Sequence, residues 1–187
     1  MLNINGTKVY SNRAALNELA RLAALVPHGH DIVEVGVFRG GSLRVIAETA
    51  LAHHVHGIDT WGLEGAYQSG SEDPAKYGIR NLDHARRHCA GLTNITFIRD
   101  FSTHAAATYS GGPIGMWYLD AEHTYDAVHA DWDAWAPLLE PGCIVAFDDY
   151  RPTHQGVMDA VNEIVTNGHL APLTVIGDRL AVTRTPL

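Results

Sequence analysis

The sequence predicts an α/β domain in which helices cover both faces of a doubly wound, mostly parallel β-sheet. Short apolar runs, typical of strands buried on both sides, alternate with segments whose apolar residues recur at helical spacing. Two apolar runs joined by Gly177-Asp178 close the chain, as expected of an antiparallel hairpin. Right-handed crossovers between the parallel strands place helices on both faces, which is a Rossmann-like arrangement.

The elements follow from this pattern in order along the chain. The predicted strands cover residues 32–37, 55–58, 95–98, 114–119, 143–147, 173–176 and 180–182. The predicted helices cover residues 11–26, 43–51, 79–89, 103–109, 125–139 and 157–164. Ser11 is expected to cap the first helix and Thr124 the fifth, because a side-chain oxygen can accept a free N–H of the first turn.

Residues 1–187 are expected to form one domain, because no linker, repeat or low-complexity tract interrupts the sequence. Residues 1–30 would carry the N-terminal helix, and the loop at 60–78 would form a lid over the substrate. Its aromatic residues Trp61, Tyr67 and Tyr77 could either cover the substrate or pack onto the core. The net charge of −8 disfavours a nucleic acid or an anionic membrane as partner. A homo-oligomer is compatible with the sequence.

The expected location is the cytoplasm. No apolar run approaches the roughly 20 residues that a membrane span needs, and residues 1–10 lack the features of a signal peptide. Cys89 and Cys143 are isolated in the sequence, so no disulfide framework is predicted.

A glycine-containing loop at residues 36–42 follows the first strand of the predicted sheet. Ligands of such sheets bind beyond the carboxyl ends of the strands, and glycines let a ligand approach the backbone. The N-terminus of the following helix favours an anionic group. The spacing of Gly36 and Gly40-Gly41 differs from GxGxxG, so the pyrophosphate of a dinucleotide is disfavoured. Asp59, at the end of the second strand, can accept the hydroxyl groups of a ribose.

Asp120, Asp148 and Asp149 follow the fourth and fifth strands, which are neighbours in this fold class. Carboxylates gathered in one cleft repel each other and raise each other's pKa. A divalent cation removes the conflict, and hard oxygen ligands favour Mg²⁺, with Mn²⁺ or Ca²⁺ as alternatives. In the other interpretation one aspartate caps a helix, another pairs with an arginine, and no metal binds.

Two segments resemble a known group of enzymes. The first is VEVGVFRGGS at residues 33–42, which is similar to the first cofactor motif of class I S-adenosylmethionine (SAM)-dependent methyltransferases. The second is YLDAEHTYDAVHADWDAWAPLLEPGCIVAFDDY at residues 118–150. It resembles the family of macrocin-type sugar O-methyltransferases and cephalosporin hydroxylase-like proteins. The resemblance, over about residues 31–165, implies the class I methyltransferase fold, SAM as cofactor and Mg²⁺-assisted methylation of a small-molecule hydroxyl.

The resemblance also implies roles for individual residues. The implied cofactor-binding residues are Glu34, Gly36, Phe38, Arg39, Gly40, Ser42, Asp59, Thr60, Asp100, Phe101, Ser102 and Asp120. Asp100 and the Phe101 backbone would bind the adenine, and Asp120, Asp148 and Asp149 would hold Mg²⁺. Glu122 stands where the family often has an aspartate base, so Glu122 or His123 is the expected base, with Asp120 beside it.

Three other functions remain open from the sequence. An NAD(P)-dependent reductase would share the fold and Asp59, but it would need a GxGxxG loop and a Tyr/Lys or His catalytic group that are not evident. A non-catalytic module that binds SAM or a metal is the second alternative. The cluster of adjacent carboxylates argues against it, because stability alone does not require neighbouring anions. The third alternative follows from the hydroxylase-like relatives: the domain would assist a reaction other than methyl transfer.

Overall fold

A seven-stranded sheet forms the centre of the computed structural model, with strand order β5-β4-β3-β6-β7-β9-β8. The structure describes residues 2–4, 7–9, 11–63 and 74–187, with side chains for residues 11–63 and 77–187. Strands β3 to β7 run parallel, whereas β9 pairs antiparallel with β7 and β8 antiparallel with β9. The predicted α/β sheet with a C-terminal antiparallel hairpin is therefore confirmed.

The bounds of the elements agree with the predicted periodicities to within a few residues. The sheet strands are β3 (Asp31–Val35), β4 (Val55–Asp59), β5 (Ile95–Arg99), β6 (Ile114–Leu119), β7 (Leu139–Phe147), β8 (Thr174–Ile176) and β9 (Leu180–Arg184). The helices are α1 (Arg13–Ala23), α2 (Gly41–Thr49), α3 (Pro74–His88), α4 (Ser102–Ala107), α5 (Tyr125–Trp135) and α6 (Gln155–Thr166). A separate antiparallel pair, β1 (Leu2–Ile4) and β2 (Thr7–Val9), was not predicted.

Helices cover both faces of the sheet because successive strand residues point to opposite sides. Ile32 of β3 joins a core cluster with α1, α2 and α3, whereas Val33 and Val35 join a second cluster with α4, α5 and α6. The chain builds β3, β4 and β5 outward and then crosses back to β6, so the strand order reverses between β3 and β6. That reversal leaves a crevice at the carboxyl ends of these two strands.

Two predicted helix boundaries need correction. Asn12, not Ser11, caps α1, because its side-chain oxygen accepts the Ala15 N–H at 2.8 Å. Helix α5 ends at Trp135 and not at residue 139, since residues 136–138 form a short 3-10 turn that contains Pro137. The predicted cap at Thr124 is confirmed by its bond from the Ala127 N–H at 3.3 Å.

The C-terminal hairpin contains the predicted Gly177-Asp178 turn. Both residues have positive φ angles, 58° and 56°, and the Arg179 N–H donates to the Ile176 carbonyl at 3.3 Å. Ile176 pairs with Leu180, so three residues separate the strands instead of the two expected. The third is Arg179, whose side chain points to the end of β7.

The predicted lid lies largely outside the described residues, at positions 64–73. For Trp61 the sequence left open whether it covers a substrate or packs onto the core. It is 2% exposed, packs in the core and donates its indole N–H to the Phe38 carbonyl at 2.9 Å. Within the described ranges, the helices lack the combined length and apolarity that crossing a bilayer requires.

Asp31 at the start of β3 gives a pH-dependent contribution to stability. Burial alone would raise its pKa, but bonds from His56 at 3.0 Å, the Gly112 N–H at 2.7 Å and Tyr109 at 3.0 Å outweigh burial and lower the pKa. A carboxyl whose folded-state pKa is lowered stabilises the fold fully above its unfolded pKa. That stabilisation is lost as the pH falls through the folded-state value.

Asp31→Asn should therefore lower the free energy of unfolding by about 1–3 kcal/mol at pH 7. The difference from wild type should shrink below pH 3.8, the ordinary pKa of this group. Urea unfolding at pH 7 and pH 3 measures both quantities, with the exposed Asp83→Asn as control. A loss that is equal at the two pH values would contradict the assignment.

Candidate functional site

Two adjoining cavities open at the carboxyl ends of the parallel strands, and both are lined by Gly36, Phe38, Asp120 and Ala121. The first cavity has a volume of about 390 Å³ and extends from Asp59 to Asp131 on α5. The second cavity has a volume of about 360 Å³. Besides the shared residues, the second cavity is lined by Ser11, Val37, Arg39, Gly41, Ser42, His123, Asp149, Arg151 and Arg179.

The loop after β3 has the backbone conformation that its glycines predict. Gly36 and Gly40 have φ angles of 90° and 76°, and Phe38 between them has a φ of 50°. The Asp59 carboxylate stabilises this loop, because it accepts the N–H groups of Phe38 and Trp61, each at 2.8 Å. Burial raises the pKa of Asp59 despite these bonds. Asp59 also lines the first cavity together with Thr60, where a ligand hydroxyl can reach it.

Glu34 and Gly40 lie behind the loop and line neither of the two cavities. Glu34 is fully buried, accepts the Ser42 hydroxyl at 2.6 Å, and leaves its other oxygen without a hydrogen-bond partner. Burial raises its pKa to about 8, with smaller contributions from nearby carboxylates. A Cβ at Gly40 would lie 3.2 Å from the Ala85 Cα, so Gly40 serves the packing of α3. Both residues therefore lie beneath the loop, and their assignment to the cofactor stays a prediction.

The first cavity is also lined by Asp100, Phe101 and Ser102, which the sequence analysis assigned to the cofactor. Both Asp100 oxygens already have partners, the Phe101 N–H at 2.8 Å and His104 Nδ1 at 2.5 Å. Asp131 of α5 lines the same cavity and was missed by the sequence analysis. Its signal in the sequence is an acid on the same helical face as Ala127, within a helix whose core-facing residues are otherwise apolar.

The three predicted metal-binding aspartates come together where β6 and β7 end. The Tyr118 hydroxyl lies 3.0 Å from Asp148 Oδ2 and 3.3 Å from Asp120 Oδ2. Asp120 is half-buried, and burial together with Asp148 and Asp149 raises its pKa well above the usual range. This mutual repulsion is the one expected from carboxylates in one cleft.

Arg179 contacts two of these acids, which the sequence analysis did not predict. Its guanidinium binds both oxygens of Asp148, Nε to Oδ1 at 2.6 Å and Nη2 to Oδ2 at 2.8 Å, and lies 2.9 Å from Asp149 Oδ1. Asp149 also pairs with Arg151 at 2.6 Å. The interpretation in which an aspartate meets an arginine is therefore correct for Asp148.

The two candidate bases lie in different environments. Glu122 lines the first cavity, and its carboxylate accepts the Thr124 hydroxyl at 3.2 Å. His123 lines the second cavity, with Nε2 3.1 Å from Asp149 Oδ2. Its ring lies 4.5 Å from that of His154. Within the described side chains, the ligand atoms of His123, Asp149 and His154 lie within 4.8 Å of one another, close enough to hold a metal ion.

The family model described as a methyltransferase domain matches residues 33–150 of the chain. An uncharacterized protein of Acanthamoeba polyphaga mimivirus is 27% identical over 139 residues, which cover 72% of this chain and 59% of that protein. An uncharacterized protein of Sinorhizobium fredii is 26% identical over 130 residues, covering 67% of this chain and 14% of that protein. The chain therefore spans less than two thirds of the length of either relative.

Solved structures with a similar fold cover most of the chain. The O-methyltransferase NovP has a TM-score of 0.70 at 20% identity, covering 92% of this chain and 80% of its own. The O-methyltransferase TomG from Streptomyces achromogenes, in complex with SAM, has a TM-score of 0.68 at 17% identity with the same coverages. CalS11, a TDP-rhamnose 3′-O-methyltransferase, has a TM-score of 0.63 at 24% identity, covering 91% and 76%. These similarities establish the fold.

Proposed function

This chain belongs to the methyltransferase domain family, and on that premise we propose that it transfers the methyl group of SAM to a hydroxyl of a small molecule such as a sugar or natural product. The observation that carries the proposal is the pair of cavities that meet at Gly36 and Asp120. One has the size and polar ends that suit a nucleoside, and the other contains a histidine paired with a buried carboxylate. Two proteins of similar fold support SAM as donor and a sugar as acceptor: TomG, whose structure contains SAM, and CalS11, a TDP-rhamnose 3′-O-methyltransferase.

The cofactor would lie with its adenosyl part in the first cavity. Asp59 would accept the ribose hydroxyls, because each of its oxygens retains a lone pair beyond the backbone N–H it accepts. The sulfonium would lie near Gly36, where the two cavities join. SAM is already an activated methyl donor, so the main task of the protein is to align the acceptor hydroxyl with the methyl group. Such alignment can lower the activation barrier by up to about 7–11 kcal/mol.

His123 is favoured over Glu122 as the base. It lines the second cavity, whereas Glu122 lines the first, where the adenosyl part of the cofactor would lie. Asp149 faces Nε2 and would stabilise the imidazolium that forms when His123 takes the proton of the hydroxyl. The other ring nitrogen, Nδ1, has no hydrogen-bond partner among the described residues and is the atom that would take this proton.

The acidic residues are chemically suited to a divalent cation. Burial, together with the charges of Asp148 and Asp149, raises the pKa of Asp120, and Arg179 acts in the opposite direction. Asp120, Asp148 and Asp149 would hold Mg²⁺, and Asp120 and Asp149 also line the second cavity. The ion would share the oxygens of Asp148 and Asp149 with Arg179. When bound, Mg²⁺ would supply a Lewis acid that lowers the pKa of the acceptor hydroxyl.

Arg179→Met should lower the free energy of unfolding by about 3–5 kcal/mol, because it leaves the buried Asp148 unpaired. Millimolar Mg²⁺ should restore part of that stability by binding the released carboxylates. Guanidinium unfolding with and without Mg²⁺ measures both effects. Arg151→Met is the control and should cost less than about 1 kcal/mol, since its side chain is 37% exposed.

Two results would contradict these assignments. Equal losses in the Arg179 and Arg151 variants would contradict the dominant role of Arg179. If Mg²⁺ fails to stabilise Arg179→Met, or stabilises it equally after Asp120→Asn is added, the aspartates do not bind the metal.

The proposed function as a whole is tested by ligand binding and product analysis. S-adenosylhomocysteine (SAH) should raise the unfolding temperature, whereas NADH should leave it unchanged. Mass spectrometry with SAM and a panel of sugars and diols should then detect a methylated product. Stabilisation by NADH would favour a reductase, and SAH binding with no methylation of any hydroxyl compound would favour a non-catalytic module.

A further inference from the structure

Asp131 lies on α5 and lines the first cavity but not the second. Ala127 and Ala130, which precede it by one helical turn or less, also line this cavity, and their small side chains leave room for a flat ring. If the proposed function is right, the flat ring is the adenine of SAM. The inference about Asp131 therefore rests on that proposed function.

The carboxyl group of Asp131 is buried without a cationic partner among the described residues. The residue is 7% exposed, and burial raises its pKa to about 6, against a smaller opposing effect of a hydrogen bond from Ser102. Ser102 Oγ itself accepts the Trp135 indole N–H at 2.9 Å, so its single hydroxyl hydrogen is available to Asp131. A buried carboxyl with one neutral donor is costly unless a further donor reaches it.

The neighbouring acid in this cavity is already engaged. Asp100 accepts the Phe101 N–H with one oxygen and His104 Nδ1 with the other. Asp131 is therefore better placed than Asp100 to accept a hydrogen bond from a ligand. Asp131 and Phe101 line the same cavity, so the carboxyl group of Asp131 can meet the edge of a ring bound there.

We propose that Asp131 determines cofactor specificity by accepting a hydrogen bond from the exocyclic amino group of adenine. A deaminated base carries a carbonyl oxygen at that position. Two acceptors would then face each other, and the buried carboxylate would lose its donor. Sites built around such a hydrogen bond discriminate against the ligand that lacks it.

The experiment compares two nucleosides on wild type and Asp131→Asn by titration calorimetry. The ligands are SAH and S-inosylhomocysteine, in which a carbonyl replaces the amino group. Wild type should bind SAH about 10- to 100-fold more tightly than S-inosylhomocysteine. Asp131→Asn should lower that ratio by about tenfold or more, because the amide can donate to the carbonyl and accepts less strongly from the amine.

Asp133→Asn, an exposed acid on the same helix, is the matched control and should keep the wild-type ratio. If Asp131 had only a structural role, Asp131→Asn would weaken the binding of both ligands equally. An unchanged ratio of the two affinities in Asp131→Asn therefore overturns the proposal. If Asp131→Asn does not fold, Asp131→Ser tests the same ratio. Wild type that binds neither nucleoside contradicts the proposed function itself, whereas SAH binding without discrimination contradicts only the role of Asp131.

Discussion

Replacing His123 by Gln should lower the rate constant of methyl transfer on the order of 10²- to 10⁴-fold, the range typical of losing a general base. The affinity for SAH should change by less than about twofold, because His123 lines the second cavity and not the first. The physical reason is the contact between Nε2 and the buried Asp149, which would stabilise the protonated ring. Single-turnover kinetics and calorimetry with SAH separate the two quantities.

Glu122→Gln is the matched control for this prediction. Its carboxylate is exposed and lines the first cavity, so the variant should retain most of the rate. The reverse order, with a large loss in Glu122→Gln and a small one in His123→Gln, would identify Glu122 as the base. Equal small losses would exclude both residues.

Gly36→Ala should abolish measurable SAH binding and lower the free energy of unfolding by about 4–5 kcal/mol, at the upper end of single substitutions. A Cβ at this position would lie 2.0 Å from the Asp120 carbonyl oxygen and 2.4 Å from its carbonyl carbon. Both atoms are backbone and cannot rotate away. The ends of β3 and β6 would therefore have to separate, and the two cavities meet there. Thermal unfolding and calorimetry measure the effects.

Gly91→Ala is the control that separates this collision from backbone strain. Gly91 has the same φ of 90°, but a Cβ there would meet nothing within 4 Å. It should cost only about 1–2 kcal/mol and leave SAH affinity unchanged. If the two variants lose equal stability and both bind SAH, the close approach of Gly36 to Asp120 is not what maintains the site.

Much of the fold could be predicted because each element depends on local spacing. The strand at 114–119 has the predicted bounds, and Thr124 caps α5 as expected. The predicted start of the first helix was wrong because Ser11 and Asn12 are both favourable N-cap residues, and the local sequence does not decide between them. The β1–β2 pair was missed because three-residue strands are too short for a period to be recognised.

The candidate site was predictable in part, for a related reason. Strand ends in a parallel sheet fall on one edge, so Asp59, Asp120 and Asp148 could be assigned to one region before any contact was known. The roles of single residues were harder to predict. The sequence did not decide whether Trp61 covers a substrate or packs onto the core, where the structure places it. Asp131 was not considered because its helix was interpreted as packing alone.

The sequence by itself determined the order of strands and helices, the glycine loop, and the gathering of acidic side chains beyond β6 and β7. Those features follow from periodicity and from the geometry of parallel strands. Only the tertiary structure decided which positively charged side chain contacts those acids. Arg179 lies 31 positions after Asp148 along the chain and reaches it because β9 pairs antiparallel with β7. Electrostatic energy depends on distance in space, which the sequence does not specify until the sheet has formed.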